Sequence, residues 1–333
     1  MTAASLDIVA IGNAIVDVIA TADEAFLVSE DLAKGSMQLI SAERATDLYS
    51  KMGPGREISG GSAANTVAGM ASLGRKCGFI GQVADDQLGN VFSHDIQAID
   101  VAFTTPVRGG EPPTAQCLIL VTPDGQRTMN TFLGASQYLP VTALDREMIA
   151  NAEILYLEGY LWDPEEPRAA MQSAIRIARE AGRKVAFTLS DSFCIERHRD
   201  SFNALIDDGD IDILFANEAE MHSLMQSDHF DDSVAAVAAK VPLLVVTRGP
   251  DGALAIKDGV RVEVNAEPVA KVVDTTGAGD LFAAGFLAGL ASGRSIKDSL
   301  AMGAICAAEV ISHFGPRPET DLAALVAARL GQA

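Results

Sequence analysis

The sequence predicts an α/β protein built on a mostly parallel sheet, and three observations carry that reading. Short β-rich apolar runs recur along the 333 residues, helical patterns lie between them, and several runs are apolar on both faces. Strands covered by helices on either side must look like this. Hydrophobic residues at 48% and charged residues at 21% suit a sizeable core, in one unit spanning 1–333. That composition excludes a disordered chain, a collagen-like repeat and a small disulfide scaffold.

In chain order, the expected strands are residues 6–11, 78–83, 117–122, 154–157, 184–189, 211–215 and 243–247. The expected helices are 62–73, 167–181, 278–291 and 321–330. Another follows from Ile296, Leu300, Ala304, Ala307 and Ile311, spaced three and four apart on one stripe. Two stretches, with strands drawn from 13–41 and 106–134, break the alternation. Ile15-Val16-Asp17-Val18-Ile19 and Ser36-Met37-Gln38-Leu39-Ile40 read as strands. Residues 115–121 and 127–133 read as a hairpin around Pro123-Asp124-Gly125. These pieces form either a small sheet acting as a lid or plain edge strands, and the pattern alone favours neither.

Basic residues number 25 and acidic residues 45, so the formal charge is 25 − 45 = −20. Such a field repels phosphate backbones and anionic lipid, so neither nucleic acid nor a membrane is an expected partner. Cys77, Cys117, Cys194 and Cys306 lie far apart, without a C-x-x-C pair, which argues against structural zinc and a disulfide framework. The N-terminus lacks the basic and apolar regions of a signal peptide, and the apolar run 281–291 is too short to span a bilayer. A reducing, cytoplasmic setting is expected.

The most informative segment is Asp274-Thr275-Thr276-Gly277-Ala278-Gly279-Asp280. A β-rich run, 270–273, enters it and an apolar helix leaves it. Gly277 and Gly279 allow a sharp bend, and the helix start offers free N–H groups to an anion. Asp280 sits in or near the first turn, where the positive helix end should favour its ionised form. It is a candidate proton acceptor beside a phosphate; the plain alternative is an N-capping Asp. A second segment, Ser59-Gly60-Gly61-Ser62-Ala63-Ala64-Asn65, places paired glycines before a small-residue helix, with Asn65 one turn in. Ala64 stands where a G-x-S-x-G elbow needs glycine, so a serine hydrolase is not indicated. Gly12-Asn13-Ala14-Ile15-Val16-Asp17 lacks the dinucleotide glycines and carries a carboxylate that can hold two sugar hydroxyls. Asn217 and Glu220 share a face at a helix start, either as ligands of magnesium-bound water or as a cap. Val246-Thr247-Arg248-Gly249-Pro250-Asp251-Gly252 is a strand-to-turn unit that suits a nucleotide or an ordinary hairpin. No Gly-Lys pair exists, so there is no Walker A loop, and no D-F-G triplet occurs.

These segments, in this order, resemble the ribokinase-like (PfkB) family of sugar and nucleoside kinases over essentially the whole chain. Within it the closest likeness is to the adenosine kinases, through the Gly12–Asp17 segment, Asn217-Glu218-Ala219-Glu220 and Glu158-Gly159-Tyr160-Leu161-Trp162.

The resemblance implies a three-layer α/β/α domain with a small β-sheet lid, and ATP-dependent transfer to a hydroxymethyl group. Asp280 would activate that hydroxyl, with Gly277, Ala278 and Gly279 as the anion hole. Asp17, Gly61 and Asn65 would hold the sugar hydroxyls, with Asn13 beside them and Arg127 of the hairpin as a phosphate contact. Met37, Leu39, Phe132, Tyr160, Leu161 and Trp162 match regions that line a base slot, and each also suits a core. Thr247, Gly249 and Gly252 would lie along ATP, with Asn217. Glu220 would support Mg2+ through water, and Asp274 and Thr276 match a monovalent-cation (K+) position. The favoured acceptor is the 5′-OH of adenosine. A free sugar (ribose or fructose) and a non-catalytic nucleoside-binding regulator are the alternatives. A nicotinamide dehydrogenase fails for lack of the glycine fingerprint. Monomer and homodimer both remain open.

Overall fold

Residues 4–331 are described by the computed structural model. Among them fourteen strands form two sheets. In chain order they are β1 (Leu6–Ile11), β2 (Ile15–Thr21), β3 (Met37–Leu39), β4 (Gly55–Gly60), β5 (Cys77–Ile80), β6 (Ala102–Phe103), β7 (Ala115–Val121), β8 (Arg127–Phe132), β9 (Ala152–Glu158), β10 (Lys184–Thr188), β11 (Ile213–Asn217), β12 (Leu243–Thr247), β13 (Ala253–Lys257) and β14 (Val260–Val264).

The large sheet runs β14-β13-β12-β11-β10-β9-β1-β5-β6. From β6 to β12 every pairing is parallel, and β13 and β14 add an antiparallel edge. Parallel neighbours need crossover connections, so helices cover both faces. On one face, Ala10, Phe79, Tyr156 and Phe215 pack against Val67, Phe92, Phe286 and Ile305 of the helices Ser62–Ser72, Gln87–Ala98, Ala278–Ala291 and Ile296–Val310. On the other, Ile11, Leu157 and Phe187 pack against Met171, Ile195, Leu224 and Val234 of Glu165–Glu180, Ser192–Asp207, Glu218–Met225 and Phe230–Ala238. The outcome is a three-layer α/β/α sandwich. No helix among the described residues is long and apolar enough to cross a membrane.

Helix Ser62–Ser72 lies close against Ala278–Ala291 because Gly69 has no side chain. A methyl there would stand 2.6 Å from Leu281 and 2.7 Å from Ala284. Gly285 and Gly303 let Ala278–Ala291 approach Ile296–Val310 in the same way.

The small sheet runs β3-β8-β7-β2-β4. β4 lies outside the stretches where strands were expected. Its sequence, Gly-Arg-Glu-Ile-Ser-Gly, is polar because it is an edge. Val18, Leu118 and Leu120 face one way, onto Leu27 and Leu48. Register puts Asp17, Cys117, Thr131 and Leu39 in one row across the opposite face. Ile19, Ile119, Met129 and Met37 form the next row, and Val121 and Arg127 follow.

Two further expectations differ from the structure. Residues 270–273 form no strand; the Val273 amide donates to the carbonyl of Ile311, at the end of helix Ile296–Val310, and not to a strand. Phe132 pairs with Gln116, one residue out of step with Asp17, so alternation turns it to the face away from Asp17.

Candidate active site

Five parallel strands, β1, β9, β10, β11 and β12, end at one edge of the large sheet. Open α/β sheets bind ligands there. Glu158, Thr188, Asn217 and Thr247 stand at those ends, and β1 leads through only Gly12, Asn13 and Ala14 into β2 of the small sheet.

The signature loop meets the helix that starts beside this edge, through Asp280 and Ser62. Gly277 caps helix Ala278–Ala291 at φ 74°, a left-handed conformation that suits glycine, and a Cβ there would press on Pro316 at 2.9 Å. The Ala278 amide donates to the Thr275 carbonyl at 3.2 Å. The free amides are therefore those of Gly277, Gly279 and Asp280, a shift from the expected set that included Ala278. Gly279 is exposed and open.

Asp280 is held by one turn of the neighbouring helix. Ser62 Oγ donates to its Oδ1 at 2.6 Å and Asn65 Nδ2 to its Oδ2 at 2.9 Å. The positive helix end was expected to favour the ionised form. Burial outweighs it and raises the pKa, against the lowering effect of Ser62, Asn65 and Arg317. Asn65 Oδ1 is buried without a partner.

Asp17 is buried on β2 and accepts no hydrogen bond from the described protein. Burial pushes its pKa up to about 7, although Arg317 and Arg127 pull it down. Gly60 lies directly against its carboxylate, where a Cβ would collide. Gly61, at φ 100°, similarly meets the Asn13 carbonyl. The Asn13 amide and Nδ2 donate to Glu158 Oε1 at 2.8 and 2.7 Å, and the Ala63 amide donates to Glu158 Oε2 at 2.7 Å. Glu158 thus brackets β1's exit to the start of helix Ser62–Ser72; burial pushes its pKa up to about 7.

Asp274 is enclosed. Its Oδ1 accepts from the Thr276 amide at 2.7 Å and lies 2.6 Å from Arg127 Nη2; its Oδ2 accepts from the Gly315 amide at 2.9 Å. Arg127, expected as a phosphate contact, is thus an ion-pair partner of the signature loop.

Residues 6–322 match the pfkB family of carbohydrate kinases. The chain belongs to the PfkB family. Its members are ATP-dependent phosphotransferases that act on hydroxyl groups. Among solved structures, the adenosine kinase from Sinorhizobium meliloti is 47% identical with a TM-score of 0.91, covering 99% of this chain and 100% of that one. A probable sugar kinase from Rhizobium etli CFN 42 is 46% identical with a TM-score of 0.92, covering 98% and 99%. Among curated proteins, a fructokinase of Salmonella typhimurium is 30% identical over 74% of this chain and 81% of its own length.

On this PfkB scaffold the residues expected along the nucleotide divide. Asn217 and Glu220 make a full capping box, with Asn217 Nδ2 donating to Glu220 Oε1 at 2.6 Å and the Asn217 amide to Oε2 at 3.0 Å. Glu220 is buried, its pKa pushed up to about 7 by that burial. Thr247 and Gly249 stand at the open edge. Gly252 does not: at φ 86° it is buried against the Val264 carbonyl, so the β12–β13 turn requires it. For Leu161 and Trp162, which suited either a base slot or a core, the structure shows the core. Both are fully buried in the second core, Trp162 edge-on to Phe187 and Phe202. Tyr160 remains at the edge, its hydroxyl donating to the Ser190 carbonyl at 3.1 Å. Glu158 was noted only as part of a string, and Arg317 escaped notice. A lone arginine after Phe-Gly-Pro has no sequence signal; its role depends on the helix packing that delivers it.

Proposed function

We propose that this PfkB-family enzyme transfers the γ-phosphoryl group of ATP to the 5′-hydroxymethyl group of a purine nucleoside, adenosine in first place. One observation carries the acceptor. On the small sheet an unpartnered buried carboxylate, Asp17, shares a face with the apolar side chains Ile19, Ile119, Met129, Met37 and Leu39. Leu39 is 63% and Met37 49% exposed, which leaves apolar surface for a flat base. Asp17 accepts two neighbouring ribose hydroxyls, and Asn65 Oδ1 offers one further acceptor. The likeness to the Sinorhizobium meliloti adenosine kinase supports the same reading.

In the transfer, the acceptor oxygen bonds to the γ-phosphorus as the bond from that phosphorus to the bridging oxygen of ADP breaks. The proton passes to Asp280, whose two oxygens Ser62 and Asn65 keep oriented. A pKa raised by burial makes it a stronger base than a solvated Asp. The amides of Gly277, Gly279 and Asp280, with the helix dipole behind them, face the charge spreading over the migrating group. Mg2+ supplies charge neutralisation on the nucleotide phosphates when bound. Among the described residues no cluster of three carboxylate, His or Cys side chains could hold a metal, so the ion would arrive with ATP.

A free sugar is the second reading, favoured by curated relatives such as the fructokinase. An ADP-release assay with adenosine, inosine, guanosine, ribose and fructose separates the two. Adenosine is expected to give the highest kcat/KM. A higher value for ribose or fructose would overturn the nucleoside reading, and no ADP with any acceptor would favour a binding role.

A further inference from the structure

A monovalent cation beside Asp274 does not fit the residues present. Both oxygens of that carboxylate already accept from backbone amides, those of Thr276 and Gly315. The remaining approach to Oδ1 is taken by Arg127 Nη2 at 2.6 Å, with the Asp274 side chain wholly buried and that of Arg127 only 13% exposed. The three groups that hydrogen-bond or pair with the Asp274 carboxylate are all N–H donors, and one of them already carries the positive charge that a cation would bring. The guanidinium also repels a second cation at so short a range.

We propose that Arg127 stands in for a monovalent cation, so that phosphoryl transfer here does not require K+. The inference rests on the phosphotransferase activity and not on which acceptor is used. Arg127 opens β8 on the inner face of the small sheet, and Asp274 opens the loop carrying the free amides of Gly277, Gly279 and Asp280. Neutralising Asp274 does two things. It removes a full negative charge from the neighbourhood of an anion cradle, as a bound cation would. It also ties the loop's entry to the small sheet, at a place where the hairpin turn already approaches the loop: a Cβ on Gly125 would come within 4.0 Å of the Val273 carbonyl. Arg127 is a positioning residue in this scheme, acting through the loop.

The test compares initial rates of ADP release, with whichever acceptor turns over, in potassium, sodium and tetramethylammonium chloride at equal ionic strength. Unfolding midpoints are measured in the same salts, which reads cation binding without any turnover. Wild-type rates are expected to agree within about twofold, with no midpoint shift, since a guanidinium already neutralises the carboxylate. Arg127→Met should lose roughly 10²-fold in kcat and recover at least about fivefold in K+ over tetramethylammonium, with a K+-specific rise in midpoint. Arg127→Lys, which keeps the charge, should stay indifferent to K+. Activation of the wild type by K+ beyond about fivefold would overturn the proposal. So would an Arg127→Met protein whose rate and midpoint both ignore K+. If no acceptor yields ADP, the midpoints alone decide the cation question, separately from the catalytic reading.

Discussion

Arg317 closes on Ser59 with three hydrogen bonds. Nε and Nη2 donate to the Ser59 carbonyl at 3.1 and 2.9 Å, and Nη2 donates to Ser59 Oγ at 3.1 Å. Nη1 reaches the Ala64 carbonyl at 3.0 Å. A residue near the C-terminus thereby pins the Gly60–Gly61 corner between β4 and helix Ser62–Ser72. Its charge acts on Asp17 and Asp280, and burial lowers its own pKa to about 10.

Removing that charge should raise the pKa of both carboxylates. In the proposed transfer Asp280 must be ionised, so in Arg317→Met the acid limb of the kcat/KM profile should move up by about one pH unit. Arg317→Lys should restore part of the shift. A profile that keeps its shape while activity falls uniformly would mean that Arg317 only holds the corner.

Asp280→Asn should lower kcat by roughly 10²–10⁴-fold, because the proton acceptor is gone. Nucleotide affinity, measured by calorimetry, should stay near normal, since Thr247, Gly249 and the loop amides are untouched. Near-normal turnover would remove Asp280 from its role.

Asp17 sets a pH dependence of stability. Its folded pKa, about 7, lies above the usual 3.8, so between those values the native state binds more protons than the unfolded chain. Its favourable contribution is complete below about pH 4 and is lost as pH rises through about 7. Asp17→Asn cannot titrate, so its unfolding midpoint relative to wild type should climb across that window in the absence of acceptor. A constant difference between the two proteins from pH 4 to 8 would contradict this.

Gly69→Val should act at a distance. The added methyl groups fall on Leu281 and Ala284, and overpacking of this kind costs about 1–3 kcal/mol. It also moves Ser62 and Asn65 away from Asp280, so kcat should fall while KM for ATP changes little. Denaturant melts and steady-state kinetics check both parts.

Leu39→Ser tests the apolar row. The side chain is 63% exposed, so stability should change by less than about 0.5 kcal/mol. KM for adenosine should rise several-fold, with a smaller effect on any free sugar. Equal effects on both classes of acceptor would place the base elsewhere.

Much of this site could be read before any coordinates. The Asp274–Asp280 string, Gly61, Asn65 and Asp17 converge because each lies within a short segment whose geometry is local: a glycine bend, a helix start or a strand end. Arg317 and Glu158 could not be read, since their roles exist only after distant segments pack. For Leu161 and Trp162 the choice between base slot and core stayed open for a related reason. A strand end announces the cleft, but which face the following turn exposes depends on the helices behind it, and Phe187 and Phe202 claimed the indole. Phe132 fell to parity, since one residue of slip along β8 exchanges the two faces of the sheet. The upward push on the pKa of Asp280 was not foreseen because a helix terminus is visible in sequence and desolvation is not.

Only Gly12, Asn13 and Ala14 join the strand at the centre of the large sheet to the strand that carries Asp17. On the proposed reading the reacting groups lie on the large sheet's side and the base slot on the small sheet, with a narrow seam between them. Substitutions at Met37, Leu39 and Met129 can then trial new alcohols, whereas Arg127 on the same face of β8 stays fixed by its pairing with Asp274. Such an arrangement makes changing preference a cheap step for evolution and a practical one for protein engineers.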